Sequence, residues 1–154
     1  MIQRTAWVSA LKALPTNNLL SLTTKLSEDW TLRPKSVSQS GLGMMKLKDS
    51  AFNETFYLGE FPLAFAWLEV TTPDGHKAEG AAQVMDDRVE VAEALALCDA
   101  VLSAQLPGWE QVYNMVEQGV AINEKANRER KMILARTRVD FSLLDNVGDE
   151  NAEA

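Results

Sequence analysis

The chain has 154 residues, the size of one ordinary domain and enough to bury roughly two-thirds of the surface its unfolded form exposes. Hydrophobic residues at 46% against 24% charged exclude a disordered chain, and no apolar run approaches the roughly 20 residues of a bilayer span. A net charge of -7 argues against general nucleic-acid binding, which needs a basic face.

Near the start, Trp7, Val8, Leu11 and Leu14 stand at helical spacing, so the pattern predicts a helix over residues 4–14 that Pro15 stops. The same stretch lacks the apolar core and small-residue cleavage site of a signal peptide, and a cytoplasmic location is expected. Thr16 or Asn17 is expected to cap a second helix with Leu19, Leu20, Leu22 and Leu26 facing inward, and Trp30 to cover the junction that follows. From Thr31 the residues suit extended chain, and Pro34 marks an edge strand or a bulge. Ser40-Gly41 reads as a turn into a strand over 42–48, and residues 49–53 as a polar loop. Two further strands are predicted, a short one over 54–59 and a longer one over 63–71.

Side chains alternate along an extended chain, so the longer strand has two unlike faces. Leu63, Phe65 and Trp67 occupy one; Ala64, Ala66, Leu68 and Val70 occupy the other. The small-residue face predicts close packing against a helix with its own small residues, Ala92, Ala94, Ala96 and Ala100. The aromatic face is then left for the amino-terminal hairpin or a partner. Pro73-Asp74-Gly75 predicts a tight turn into a strand over 77–85, and Asp87 with Glu90 has the spacing of a capping box for a helix ending near Leu106-Pro107-Gly108. A last helix is predicted from Trp109 to about Ala135, with a stripe of Val112, Met115, Val116, Ile122, Ala126, Ile133 and Leu134 that Gly119 and the polar run after Asn123 weaken. The fold class is therefore α+β: an N-terminal helical hairpin, an antiparallel sheet of about four to five strands and two C-terminal helices. One domain is expected over residues 1–142, followed by an acidic, flexible tail over 143–154.

Catalytic signatures do not emerge. His76 is the only histidine, so no histidine triad or histidine metal cluster can form within the chain. Gly41-Leu42-Gly43 is followed by neither the third glycine of a dinucleotide fingerprint nor the Lys-Ser/Thr of a Walker motif. Cys98, among Leu95, Leu97 and Leu102, suits a reducing compartment and a buried, inert thiol. Glu60, Asp86, Asp87, Glu93 and Asp99 fit surface, capping or hydrogen-bonding roles better than a catalytic carboxylate pair. The segment Lys125 to Arg138 gathers Lys125, Arg128, Arg130, Lys131, Arg136 and Arg138 against Glu129, ahead of Val139 and Phe141. It reads either as a solvated helix face or as a segment that recognises an anion or a partner.

Arg4-Thr5-Ala6-Trp7-Val8-Ser9, Gly41-Leu42, Phe56-Tyr57-Leu58-Gly59-Glu60, Ala92-Glu93 before Asp99-Ala100, and Arg138-Val139-Asp140-Phe141 together resemble the PhnG family of the bacterial carbon-phosphorus lyase system. The resemblance covers nearly the whole chain and implies a role in phosphonate use. It implies an accessory subunit in a hetero-oligomeric core with PhnH, PhnI and PhnJ, functionally linked to PhnL. That complex supports formation of α-D-ribose 1-methylphosphonate 5-triphosphate from methylphosphonate and MgATP, its substrate, with the bond chemistry assigned to PhnI. No catalytic, cofactor or metal residue is expected in the chain itself. Glu60, Phe65, Trp67, Arg136, Arg138, Asp140 and Phe141 are the expected partner contacts.

The sequence departs from the family pattern at several points. Ser50-Ala51-Phe52-Asn53 replaces a Gly-Gly-Thr-Gly loop, Ala64-Phe65 a Thr-Arg pair, Asp86-Asp87-Arg88 a Gly-Arg-Asp turn, and Val91 a histidine. Either the chain is a divergent member with a reshaped partner surface, or the family's arginine is not essential to the chemistry. The alternative is a stand-alone anion-binding or regulatory module using Lys125 to Arg138, which salt-sensitive binding of nucleotides would reveal.

Overall fold

A computed structural model describes residues 2–137. The chain divides into two compact units between Ile122 and Asn123. The first holds α1 (Trp7–Lys12, entered through a 3-10 turn Arg4–Ala6), α2 (Thr16–Leu26), four strands, α3 (Val89–Ser103) and the start of α4, which runs Trp109–Arg136. The strands are β1 (Thr31–Pro34), β2 (Gln39–Lys48), β3 (Thr55–Thr71) and β4 (Lys77–Val84), all antiparallel to β3. This is the predicted α+β fold, with four strands.

One long strand replaces the two predicted over 54–59 and 63–71. β1 pairs with residues 68–71 of β3 and β2 with residues 55–65, one after the other along the same edge; β4 pairs with residues 64–71 along the other. Residues 55–63 are therefore paired on one side only. Proline is tolerated in a strand where its missing N–H faces an open edge. The Lys35 N–H donates to the Trp67 carbonyl at 2.9 Å. Backbone groups alternate in direction along a strand, so those of Trp67 and its odd-numbered neighbours point toward β1 and β2, and Pro62 turns its nitrogen to the open side. Ser40-Gly41, expected to be a turn, lies inside β2 opposite Ala64 and Leu63, because the bend comes earlier, at residues 35–38.

The core lies between the sheet and α3. Ala64, Ala66, Leu68 and Val70 are buried, as are Ala82 and Val84 of β4 and residues 91–102 of α3 apart from half-buried Glu93. Small side chains on both surfaces bring helix and sheet close: a Cβ on Gly80 would fall 2.1 Å from the Ala96 carbonyl oxygen. Cys98 is buried in this layer, and burial pushes its thiol up to about 12. α1 and α2 pack on α3, and the first half of α4 adds Val112 and Val116. Gly119, read from sequence as a weak point in the α4 stripe, is where α4 touches α1, 1.9 Å from the Ala10 carbonyl oxygen to an added Cβ. The Trp7 indole N–H donates to the Ile2 carbonyl, and the Ile2 N–H to the Tyr113 hydroxyl, tying the N-terminus down.

Two expected caps are replaced. Pro15, not Thr16 or Asn17, holds the N-cap position of α2. At α3 the Asp87/Glu90 capping box does not form: Arg88 is the N-cap residue, and the Asp86 carboxylate accepts the Arg88 N–H at 3.0 Å. The Asp74 turn is as predicted, with Gly75 at φ 84° and its N–H donating to the Thr72 carbonyl.

Candidate partner interface

Past Ala64 the sheet leaves the cover of α3. β2 and residues 55–63 of β3 continue as a two-stranded arm, and nine extended residues span about 30 Å. A two-stranded ribbon needs packing on a face to be stable alone, and this one is apolar. Leu42 is 71% exposed, Met44 56% and Leu58 64%. Leu42 and Met44 lie opposite Pro62 and Glu60, on the face that continues from buried Ala64. Tyr57, opposite Lys46 beyond the bulge at Leu58, extends that face. On the reverse face Phe61 lies across Gly43, its ring 2.7 Å from where a Cβ would stand, and Met45, Leu47 and Phe56 continue the apolar surface. At the tip, the Asp49 carboxylate accepts the Ala51 and Phe52 N–H groups, which hold it below the usual carboxylate range. Phe52 itself is exposed.

The edges of this arm are guarded against indiscriminate strand pairing. Pro62 removes a donor from the open side of β3, Glu60 adds a charge and the bulge breaks the ladder, all devices that blunt an edge. The outer edge of β4 is closed differently: the buried Asp99 carboxylate accepts the Ala81 N–H at 3.0 Å and holds the Arg4 guanidinium in two bonds of 2.6 and 2.7 Å. The faces, rather than the edges, are left as the contact surface.

Two carboxylates from the sequence shortlist are structural. Asp99 locks the N-terminal turn to α3 and β4. Asp86 joins the Arg88 guanidinium, at 2.8 and 2.9 Å, to the Lys12 ammonium of α1, and these cations hold its carboxyl well below the ordinary range despite burial. Asp86→Asn should lower Tm by roughly 6 °C at pH 7, from about 2 kcal/mol lost in a network whose cations are partly solvated. The native value lies well below the unfolded one, so the contribution is full above about pH 5, begins to fade as pH falls below about 4 and is lost only as pH falls through the native value. Thermal melts from pH 8 to pH 3 should show a constant gap between the two proteins down to about pH 5 and a gap that narrows without closing below about pH 4.

Of the expected partner contacts, Glu60 lies on the arm, exposed, and Phe65 stands half-buried at its root. Trp67 lies on the face away from α3, with the Lys35 ammonium 5.9 Å from its ring centre. Glu79 holds that ammonium at 2.9 Å. Arg136 is exposed on the last turn of α4, and Lys125, Arg128, Arg130 and Lys131 are exposed on earlier turns of the same helix. Arg138, Asp140 and Phe141 lie outside the described residues. The residues sequence reasoning missed are Leu42, Met44, Tyr57 and Leu58, although apolar residues on both parities of 42–47 and 56–63 were a usable signal. The family departures fall in different settings: Ala64 and Val91 are buried core, Asp86 is the ion-pair centre, Asp87 is exposed, and residues 50–53 form the arm tip.

Among the described residues no three His, Cys, Asp or Glu side chains are placed to hold a metal ion, and no helix is long and apolar enough to cross a membrane. His76 stands in the β3–β4 turn beside a recess of about 550 Å³ at the start of α4. Helix cover over half a sheet and an uncovered apolar ribbon over the rest define an α+β protein whose sheet outruns its own core. The chain belongs to the PhnG family: the model of the family described as phosphonate metabolism protein PhnG matches residues 2–145. It is thus a protein of phosphonate metabolism. No curated protein matches the chain.

Proposed function

We propose that the chain is an accessory, assembling subunit of a carbon-phosphorus lyase core complex, docked on PhnI, PhnJ and PhnH homologues and functionally linked to PhnL. In this role it supports formation of α-D-ribose 1-methylphosphonate 5-triphosphate from MgATP and methylphosphonate, in the cytoplasm, without supplying the reacting groups. One observation carries the reading: the β2–β3 arm presents leucine, methionine and aromatic side chains to water on a ribbon that its own core does not cover. A surface of that kind is stable in solution only at a cost that a partner removes, at about 1.5–3 kcal/mol for each large apolar side chain buried.

Co-expression with the PhnI and PhnJ homologues of the same source, followed by affinity capture and size-exclusion mass analysis, tests it. A stoichiometric complex is expected. A monomer that ignores both partners would end the proposal.

A further inference from the structure

The sheet face turned away from α3 carries a recess of about 410 Å³, lined around Gly41 by Gln39, Leu63, Phe65 and Gln83, with no charged residue in its lining. Gln39 of β2 lies opposite Phe65 on one side, and Gln83 of β4 lies opposite it on the other. Residues directly opposite across a ladder share a face. The three therefore form one row across three strands, a half-buried phenyl ring between two exposed carboxamides. Gly41, opposite Leu63, is the next step on the same face, and a Cβ added there meets nothing within 4 Å. Its missing side chain leaves open space beside the ring.

Each feature narrows the ligand. A charged group finds no counter-charge in the lining. A hydrocarbon would cover two carboxamides without giving either a partner, and an unmade hydrogen bond is costly. Neighbouring strands lie about 4.8 Å apart, so the backbone positions of the two glutamines are about 10 Å apart. Two hydrogen bonds of about 2.9 Å then leave about 4 Å, the distance between polar atoms on opposite edges of a single heteroaromatic base. A carboxamide both donates and accepts, the pattern that the N6 and N7 edge of adenine requires. Phe65, between the two, supplies an aromatic surface for stacking.

We infer that this recess binds the base of a free purine nucleoside. The base stacks on Phe65, the Gln39 and Gln83 carboxamides hold its two edges, and Gly41 leaves the space that seats it. A nucleic-acid strand fits less well, because its backbone needs cations. Farther along the same face Glu69 and Glu79 stand opposite each other, with the Lys35 ammonium already held between them. The assignment does not rest on the subunit reading, since every group it uses belongs to this chain.

The full chain can be titrated with adenosine and guanosine, followed by NMR at the backbone N–H groups of residues 39–42 and the side-chain NH2 groups of Gln39 and Gln83. 1-Naphthylmethanol, a bicyclic ring without polar edges, and a short oligoadenylate serve as comparisons. Saturable shifts with a Kd of about 1 mM or below are expected for a purine nucleoside, with 1-naphthylmethanol at least tenfold weaker. Phe65→Leu should weaken binding about tenfold. Gln39→Met with Gln83→Met, at nearly constant volume, should weaken it tenfold or more while leaving Tm unchanged, because both side chains are exposed. Gly41→Val should block binding by filling the open space. Equal binding of adenosine and 1-naphthylmethanol, full binding by the double methionine variant, or no saturable shift up to about 5 mM overturns the site. Tighter, salt-sensitive binding of the oligoadenylate overturns the free nucleoside as its ligand. These titrations need no partner, so a failure to form a complex with the homologues leaves their outcome as it stands.

Discussion

Leu42→Asp combined with Met44→Asp is expected to abolish capture of the PhnI and PhnJ homologues, a loss of affinity of at least 100-fold, with Tm within about 2 °C of the parent. The two positions alternate along β2 and so share one face of the arm, opposite Pro62 and Glu60. Both are more than half exposed, so the isolated chain loses little by the change, and surface substitutions of this kind lie within about 0.5 kcal/mol each. In an interface the balance reverses. The apolar burial of two side chains, about 3–6 kcal/mol together, is lost. Two carboxylates would also be taken out of water without partners, which costs several kcal/mol more. Even after discounting for an incompletely buried contact, the sum exceeds the 2.7 kcal/mol of a 100-fold change. Size-exclusion analysis of co-expressed proteins reads the result directly. An intact complex with both aspartates present would show that this face is not the docking surface.

The same face explains how far the sequence could be read. The Ala/Leu/Val parity of residues 64–70 announced the helix-covered half of β3, and small residues on α3 announced what covers it. Local chemistry stated both sides of that contact, and the two matched. The arm was harder because its two strands carry apolar residues on both parities, a pattern that in an isolated chain argues for burial on both faces. Two separate strands were read over 54–59 and 63–71, with Pro62 between them, and Ser40-Gly41 was read as a turn; glycine and proline usually punctuate. Pairing on one side only makes the proline harmless, and one-sided pairing is a property of the sheet that no window of sequence contains. Gly119 was misjudged in the same way, since its lack of a side chain is explained by Ala10, more than a hundred residues away. Asp86 and Asp99 were singled out by residue type but not by role, because Lys12 and Arg4, which tie them to the rest of the fold, come from the far end of the chain, and only Arg88 beside Asp86 is local.

Gly80→Ala tests the packing that places the arm. By backbone preference alone, alanine should stabilise a strand position by roughly 0.5–1 kcal/mol over glycine. Here the added Cβ would lie 2.1 Å from the Ala96 carbonyl oxygen, 2.4 Å from the Ala100 nitrogen and 2.9 Å from the Ala100 Cβ. Two of these are backbone atoms of α3, so no rotamer change relieves the overlap; helix and sheet must separate by about 1 Å or more. Overpacking of this kind costs about 1–3 kcal/mol, and the separation also loosens contacts along the buried face of α3, where Leu95, Ala96 and Ala100 lie. The clash therefore outweighs the backbone gain, with a net loss of about 3 kcal/mol and a fall in Tm of roughly 10 °C. Gly41→Ala, where an added Cβ meets nothing within 4 Å, supplies the control and should keep Tm or raise it by about 2 °C through the backbone gain alone. If Gly80→Ala melted with Gly41→Ala, α3 would not lie on β4 at this distance, and the boundary between covered sheet and uncovered arm would have to be redrawn.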